Sequence, residues 1–134
     1  MSYALAPALQ QVLFGLLSQD AALAALTAGH VYDAAPPGPV PPLYVALGEE
    51  RARDRSDKTG TGAEHDFGVT VVSEAAGFQA AKQAAAAICD ALEGAAPALP
   101  RGRVVALSFL RARARRDGVL RRIDLTFRAR VEDD

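Results

Sequence analysis

Residues 103–131 read RVVALSFLRARARRDGVLRRIDLTFRARV. Asp117-Gly118 separates two runs of alternating apolar and polar side chains, and Asp-Gly in that setting is among the strongest short-range hairpin signals. On the returning run Ile123, Leu125, Phe127, Ala129 and Val131 share one face, while Asp124, Thr126, Arg128 and Arg130 share the other. Successive strand residues point to opposite sides, so one face is expected to be buried and the other solvated. The stretch predicts a long β-hairpin over 103–131, with Arg103–Arg116 outgoing, Asp117-Gly118 as the turn and Val119–Val131 returning.

Working outward, Gly77 precedes a helical stripe of Phe78, Ala81, Ala85, Ile88 and Leu92 that ends by Gly94. Its small residues Ala84–Ala87 allow close approach to a sheet. Ala95–Pro100 reads as a turn. Before the helix, His65–Glu74 predicts a strand with Phe67, Val69 and Val71 on one face and Val72 on the other. Leu43–Leu47 predicts a shorter strand that stops at Gly48. The polar segment between them, 49–63, is expected to be a mobile loop, because a connection of that length is generally functional or disordered. Ala34–Pro42, with five prolines, is neither helix nor central strand and reads as an extended connector.

At the start, Leu9, Val12, Leu13, Leu16 and Leu17 recur at helical spacing. Asp20 suits an N-cap that restarts a short helix presenting Leu23 and Leu26 and stopping near Gly29. The main elements run α-β-β-α-β-β. This order predicts an α+β fold: a mostly antiparallel four-stranded sheet with two helices packed on one face.

A chain of 134 residues and 14.0 kDa is expected to form one domain over 1–134 and to bury about two-thirds of its unfolded surface. Half the residues are hydrophobic and 23% charged, which excludes a fully disordered chain. Only 6% are aromatic and alanine fills 29 positions, so the core is small-sided and oligomerisation is expected to add to it. The single cysteine, Cys89, excludes an internal disulfide and a Cys-based zinc site. The apolar run Leu5–Leu17 is broken by Pro7, Gln10 and Gln11, unlike a signal peptide. No stretch reaches the roughly 20 apolar residues of a membrane span. The expected setting is the cytoplasm or a particle assembled there, with no membrane contact.

Net charge is −1, yet its distribution is uneven. Residues 1–100 hold five basic and eleven acidic side chains, residues 101–130 hold ten arginines against two aspartates, and 132–134 are all acidic. Such asymmetry points to an anionic partner or to another copy of the chain.

Few groups suit catalysis. Glu64-His65-Asp66 cannot place both carboxylates beside the histidine, because neighbours on a strand face opposite ways; with His30 the only other histidine, no metal-ligand spacing exists, and a polar strand edge is the preferred reading. Lys58-Thr59-Gly60-Thr61-Gly62 has the glycines of a phosphate loop in the wrong order and runs into a strand, not a helix. Cys89 lies in an apolar helix with no base placed near it, which suits a small core residue. No catalytic residue, cofactor or metal is expected.

The arginine hairpin is different. Arg111, Arg113 and Arg115 alternate on one face of the outgoing strand, and Arg121, Arg122, Arg128 and Arg130 follow on the return. The face could be simply solvated, could dock against Glu49, Glu50, Asp54 and Asp57 of a neighbouring subunit, or could meet nucleic acid. No aromatic interleaves the arginines to stack on bases.

The succession of features resembles the phage tail-terminator (tail-completion) family, including its prophage and gene transfer agent versions. The residues that carry this are Val31-Tyr32-Asp33 before the Pro-rich stretch, Leu43–Gly48, Gly62-Ala63-Glu64-His65, Val71–Gly77 leading into the Ala-rich helix, and the Asp117-Gly118 hairpin with its arginines. The likeness spans nearly the whole chain, and Val72 departs from it, since relatives often carry Trp there. The resemblance implies a structural protein that forms a ring, usually of six copies, on the finished tail tube. Such a ring ends polymerisation and joins the tail to the head connector. Implied partners are other copies of the chain, the tail tube protein, the head–tail connector protein and DNA passing through without sequence-specific binding. The implied location is the head–tail junction of a virion or phage-like particle assembled in the host cytoplasm. Expected interface residues are Glu49, Glu50, Asp54, Asp57, Arg111, Arg113, Arg115, Arg128 and Arg130. Alternatives are a head–tail connector of an adjacent layer and a small DNA-binding module that uses the hairpin.

Overall fold

The computed structural model describes residues 3–35, 37–57 and 60–134. Pro36 of the connector and Lys58-Thr59 of the glycine-rich stretch lie outside the described residues. The elements are α1 (Ala6–Ser18), α2 (Ala21–Thr27), β1 (Val31–Tyr32), β2 (Leu43–Asp54), β3 (Gly62–Ser73), α3 (Gln79–Leu92), β4 (Arg103–Asp117) and β5 (Leu120–Glu132). The strands form one sheet in the order β1-β2-β3-β5-β4. β1 is parallel to β2, and every other pair is antiparallel.

The α+β class holds, but the sheet has five strands and is mixed, and three helices are present instead of two. The extra strand is a two-residue pairing, Val31↔Val45 and Tyr32↔Ala46, too short to leave a period in the sequence. The third helix, α2, is the one started by Asp20, whose carboxylate accepts the Leu23 N–H at 2.9 Å and satisfies an otherwise orphaned donor. It ends where Ala28 takes the left-handed conformation at φ 53°.

The expected 49–63 loop is corrected too. β2 runs on through Asp54 and β3 begins at Gly62, so the connection is only 55–61. Gly48 is a bulge and not a stop. The register shifts between Leu47 and Glu50, and a Cβ at Gly48 would sit 3.4 Å from the Gly68 carbonyl oxygen. Beyond the bulge the polar residues are held as a strand by pairing across the ladder, Arg51↔Asp66 and Arg53↔Glu64. The described residues of the connection bond to one another and to the end of β2: Asp57 accepts the Gly60 N–H at 2.9 Å, and Ser56 donates to Asp54 at 2.8 Å.

The hairpin turn is shifted by one residue. Asp117 pairs with Leu120, leaving Gly118-Val119 at the centre. Gly118 has φ +61° and Val119 does not share a positive φ, which is the glycine-first pattern of a type II′ turn. The β5 alternation is as read: Ile123, Leu125, Phe127, Ala129 and Val131 are buried. They join Phe67, Val69 and Val71 of β3 beneath all three helices, with Leu9, Leu13, Leu17, Leu23, Ala84, Ile88 and Leu92 closing the core. Phe127 sits at its centre, stacked on Phe67 at 5.7 Å and edge-on to Phe109 at 5.8 Å. On the opposite sheet face a small second cluster forms from Tyr44, Ala46 and Val72, covered by Tyr32, Val40 and Leu120. Val72, where relatives often carry Trp, is a buried member of that cluster.

Candidate functional site

The sheet face away from the helices carries most of the charge, because β3 and β5 place Glu64, Asp66, Asp124, Arg128 and Arg130 there in alternation with the core residues. The centre of this face is settled within the chain. Arg128 forks onto Asp66 at 2.8 and 3.0 Å, a two-bond geometry that only a guanidinium offers. This bond holds the Asp66 carboxyl below the usual range. Glu64 takes Arg53 and Arg55 together, at 2.8 and 3.0 Å, and Arg55's hydrogen bond is the main reason its carboxyl is also lowered. Thr70 donates to Asp124, which also lies 3.2 Å from Arg115.

The edge is not settled. β4 is the last strand; its outer side is met by a bridge from Ala98 to Arg103 and by the Gly94 N–H on the Leu107 carbonyl, and beyond Leu107 it has no strand neighbour among the described residues. Two bulges, at Val104/Ala106 and Phe109/Arg111, turn the strand relative to β5. After the second bulge Arg111, Arg113 and Arg115 share the polar face with Thr126, Asp124 and Arg122. Arg111 and Arg113 are exposed, and among the described residues neither has a carboxylate within 4.0 Å. These arginines border a concavity of about 910 Å³ whose other end is formed by Tyr44, Gly48 and Gly68.

Of the nine residues expected at an interface, then, the structure brings Arg111, Arg113 and Arg115 together on an open edge. Arg128 is instead occupied by Asp66 in the same chain, and Arg115 partly by Asp124. Arg130 is half-buried on the same face with Glu64 as its register neighbour. Of the acids, Glu49 is exposed at the bulge, whereas Asp54 and Asp57 bond within the connection.

Glu50 is used inside the molecule. It belongs to the helix-side face, where its Oε2 lies 3.2 Å from Nδ1 of His65 and its Oε1 accepts from the Tyr3 hydroxyl. Donating that bond to the carboxylate raises the Tyr3 pKa above its ordinary value. The Tyr3 ring stacks on His65 with centroids 5.8 Å apart. His65 is 0% exposed, so the polar strand edge expected for it is wrong. Its neighbours Glu64 and Asp66 do point to the other face, as alternation requires, and its carboxylate partner comes from the next strand. No sequence signal marks this trio, which is made by strand pairing across 15 residues. His30 lies 3.2 Å from the Tyr32 hydroxyl. Cys89 is half-buried in α3, and burial pushes its thiol pKa up. Among the described residues no cluster of metal-binding side chains occurs, and no single helix is long and apolar enough to cross a membrane.

The charged face is thus neutralised within the chain at the sheet centre and exposed along the outer strand. Residues 11–132 match the tail completion protein gp17 family, and the chain belongs to it. It is also similar in structure to a chain in the virion of a native gene transfer agent particle. That chain is 59% identical with a TM-score of 0.91, and the match covers 98% of this chain and 99% of that one. No curated protein sequence matches. As a tail completion protein, the chain is a structural component of a phage-like tail.

Proposed function

We propose that the chain caps the tail tube of a phage-like particle, such as a gene transfer agent, as a ring at the head–tail junction. The ring ends tube polymerisation and offers a surface to the head connector. What carries this reading is full-length similarity to a gene transfer agent virion chain, joined to family membership over nearly the whole sequence. The geometry supports it in one respect. A ring needs two different complementary surfaces on each subunit, and the exposed Arg111 and Arg113 on the outer strand offer a cationic one. In this reading the β4–β5 hairpin and the 49–62 stretch meet neighbouring subunits, the tube and the connector. DNA passes through the lumen without base readout. The core is small-sided, and contact with neighbours adds to its stability.

Immunogold labelling of purified particles tests the position. Label is expected at one end of the tail, against the head. Label along the tube, or none on the particles, contradicts the proposal.

A further inference from the structure

Past Leu107 the outer side of β4 carries backbone N–H and C=O groups that no strand meets among the described residues. From Arg111 to Asp117 the strand is regular, seven residues each paired in turn with β5 and both bulges behind them. That is long enough to hold one more strand. The two faces of the run differ in kind. Arg111, Arg113 and Arg115 stand on the polar face, opposite Thr126, Asp124 and Arg122, while Ala112 and Ala114 stand on the helix side, opposite the buried Leu125 and Ile123. Both alanines are exposed, so the helical layer leaves this part of β4 uncovered.

The arginines lie near carboxylates without being bound by them. Arg113 faces Asp124 across the ladder, and the charge of Arg111 helps to lower the Asp66 carboxyl. The hydrogen bonds of Asp124 go to Thr70 and Arg115, and those of Asp66 go to Arg128.

What fits such an edge is set by its chemistry. An added strand supplies the missing backbone partners, and its side chains recur on each face about every 7 Å. Opposite charges directly across a strand pair attract, and like charges repel. The incoming strand therefore needs carboxylates on one face and small apolar groups on the other. No strand edge of a second copy has that pattern. A second β4 brings its own arginines, β2 brings Arg51 and Arg53 on the same face, and β1 is two residues long. Duplex DNA has no peptide groups to complete a ladder. Its phosphates, one per about 3.4 Å of each strand, would also come up against Asp66 and Asp124.

We propose that the 111–117 edge of β4 takes up an extended segment of a different protein of the particle, with carboxylates opposite Arg111 and Arg113 and apolar side chains opposite Ala112 and Ala114. The arginines then deter self-pairing and select an acidic strand. Each guanidinium has five N–H donors, so the pairing leaves donors for a neighbouring copy across the polar face. This pairing rests on the tail reading for where its partner is found.

The test uses purified particles in which the exposed Ala114 is replaced by the photoreactive residue p-benzoylphenylalanine. Irradiation is expected to link the chain to one other particle protein, at a peptide in which acidic and apolar residues alternate. A synthetic copy of that peptide is expected to bind the free parent chain and to slow amide hydrogen exchange over 111–117. Arg111→Glu with Arg113→Glu is expected to weaken this binding about tenfold or more, and lysines in place of the peptide's acids to restore it. A link to a second copy, seen as a product of twice the chain's mass, overturns the pairing and leaves the ring standing. A link to DNA, a linked peptide without the alternation, no link, or equal binding by the parent and reversed chains also overturns it. Particles that hold none of the chain overturn the tail reading along with it.

Discussion

The two long hairpins solve the same problem differently. In β2–β3 the arginines of one strand meet carboxylates of the other: Glu64 holds Arg53 and Arg55, and the ladder puts Arg51 beside Asp66. In β4–β5 the inner strand is likewise settled, with Arg128 forked onto Asp66, while on the outer strand Arg111 and Arg113 stay exposed, Arg113 opposite Asp124 in the ladder but with no carboxylate of the described residues within 4.0 Å of either. A charged face is thus part of the fold where strands lie on both sides of it. Where one side is empty, its charges stay exposed, and the proposed ring puts them to use.

The sharpest way to break that contrast is to truncate one ring on each strand of the second hairpin. Phe127→Ala removes a fully buried ring from between Phe67 and Phe109 and is expected to cost about 3–5 kcal/mol. Phe109→Ala, on the half-exposed edge, should cost well under half as much. Urea unfolding of both variants checks the ratio, and equal losses would show that β4 is as much core as β5.

A smaller effect is expected at the tip. Gly118→Ala puts a Cβ on a residue with φ +61° in open space, so backbone strain alone should lower stability by roughly 1 kcal/mol. No loss would mean that the turn is free to adopt another form.

The settled centre is testable by acid. The Asp66 and Glu64 carboxyls have lowered folded pKa values, so their stabilisation is complete above the unfolded values of about 3.9 and 4.3. It is lost as pH falls through the lowered folded values. Urea midpoints should therefore drop below about pH 4, and Asp66→Asn, expected to cost about 1 kcal/mol at pH 7, should flatten part of that drop. An unchanged pH profile would contradict the assigned pair.

The smallest expected change in stability is at the edge itself. Arg111→Ala with Arg113→Ala should leave unfolding within about 0.5 kcal/mol of the parent. The same double variant should lose assembly. A large stability loss would mean that these arginines belong to the fold after all.

The sequence readings succeeded where a pattern was local and failed where the structure is made by pairing across the chain. Alternation on 123–131 and the Asp20 cap could be read directly, because each is fixed by residues a few positions apart. The tail-completion resemblance was legible from the order of short motifs. The strand at Glu49–Asp54 was not, because its polar residues look like loop until Asp66 and Glu64 stand opposite them. The one-residue shift of the turn escaped because Asp-Gly and Gly-Val both supply the glycine a tight turn needs. His65 reads as polar edge until Glu50 and Tyr3 close over it. For the site, the arginine stripe was visible in sequence. Which of its members are already neutralised depends on strand order, and Arg128 could be told from Arg113 only once β5 was seen to be inside and β4 outside.

The central claim, that the chain ends tail growth, is tested most directly by deleting its gene in the producing host and measuring tail lengths by negative-stain electron microscopy. The account predicts over-long, headless tails beside tailless heads. Tails of normal length that fail to attach would assign the chain to an adjacent connector layer, and normal particles would contradict a role in the tail altogether.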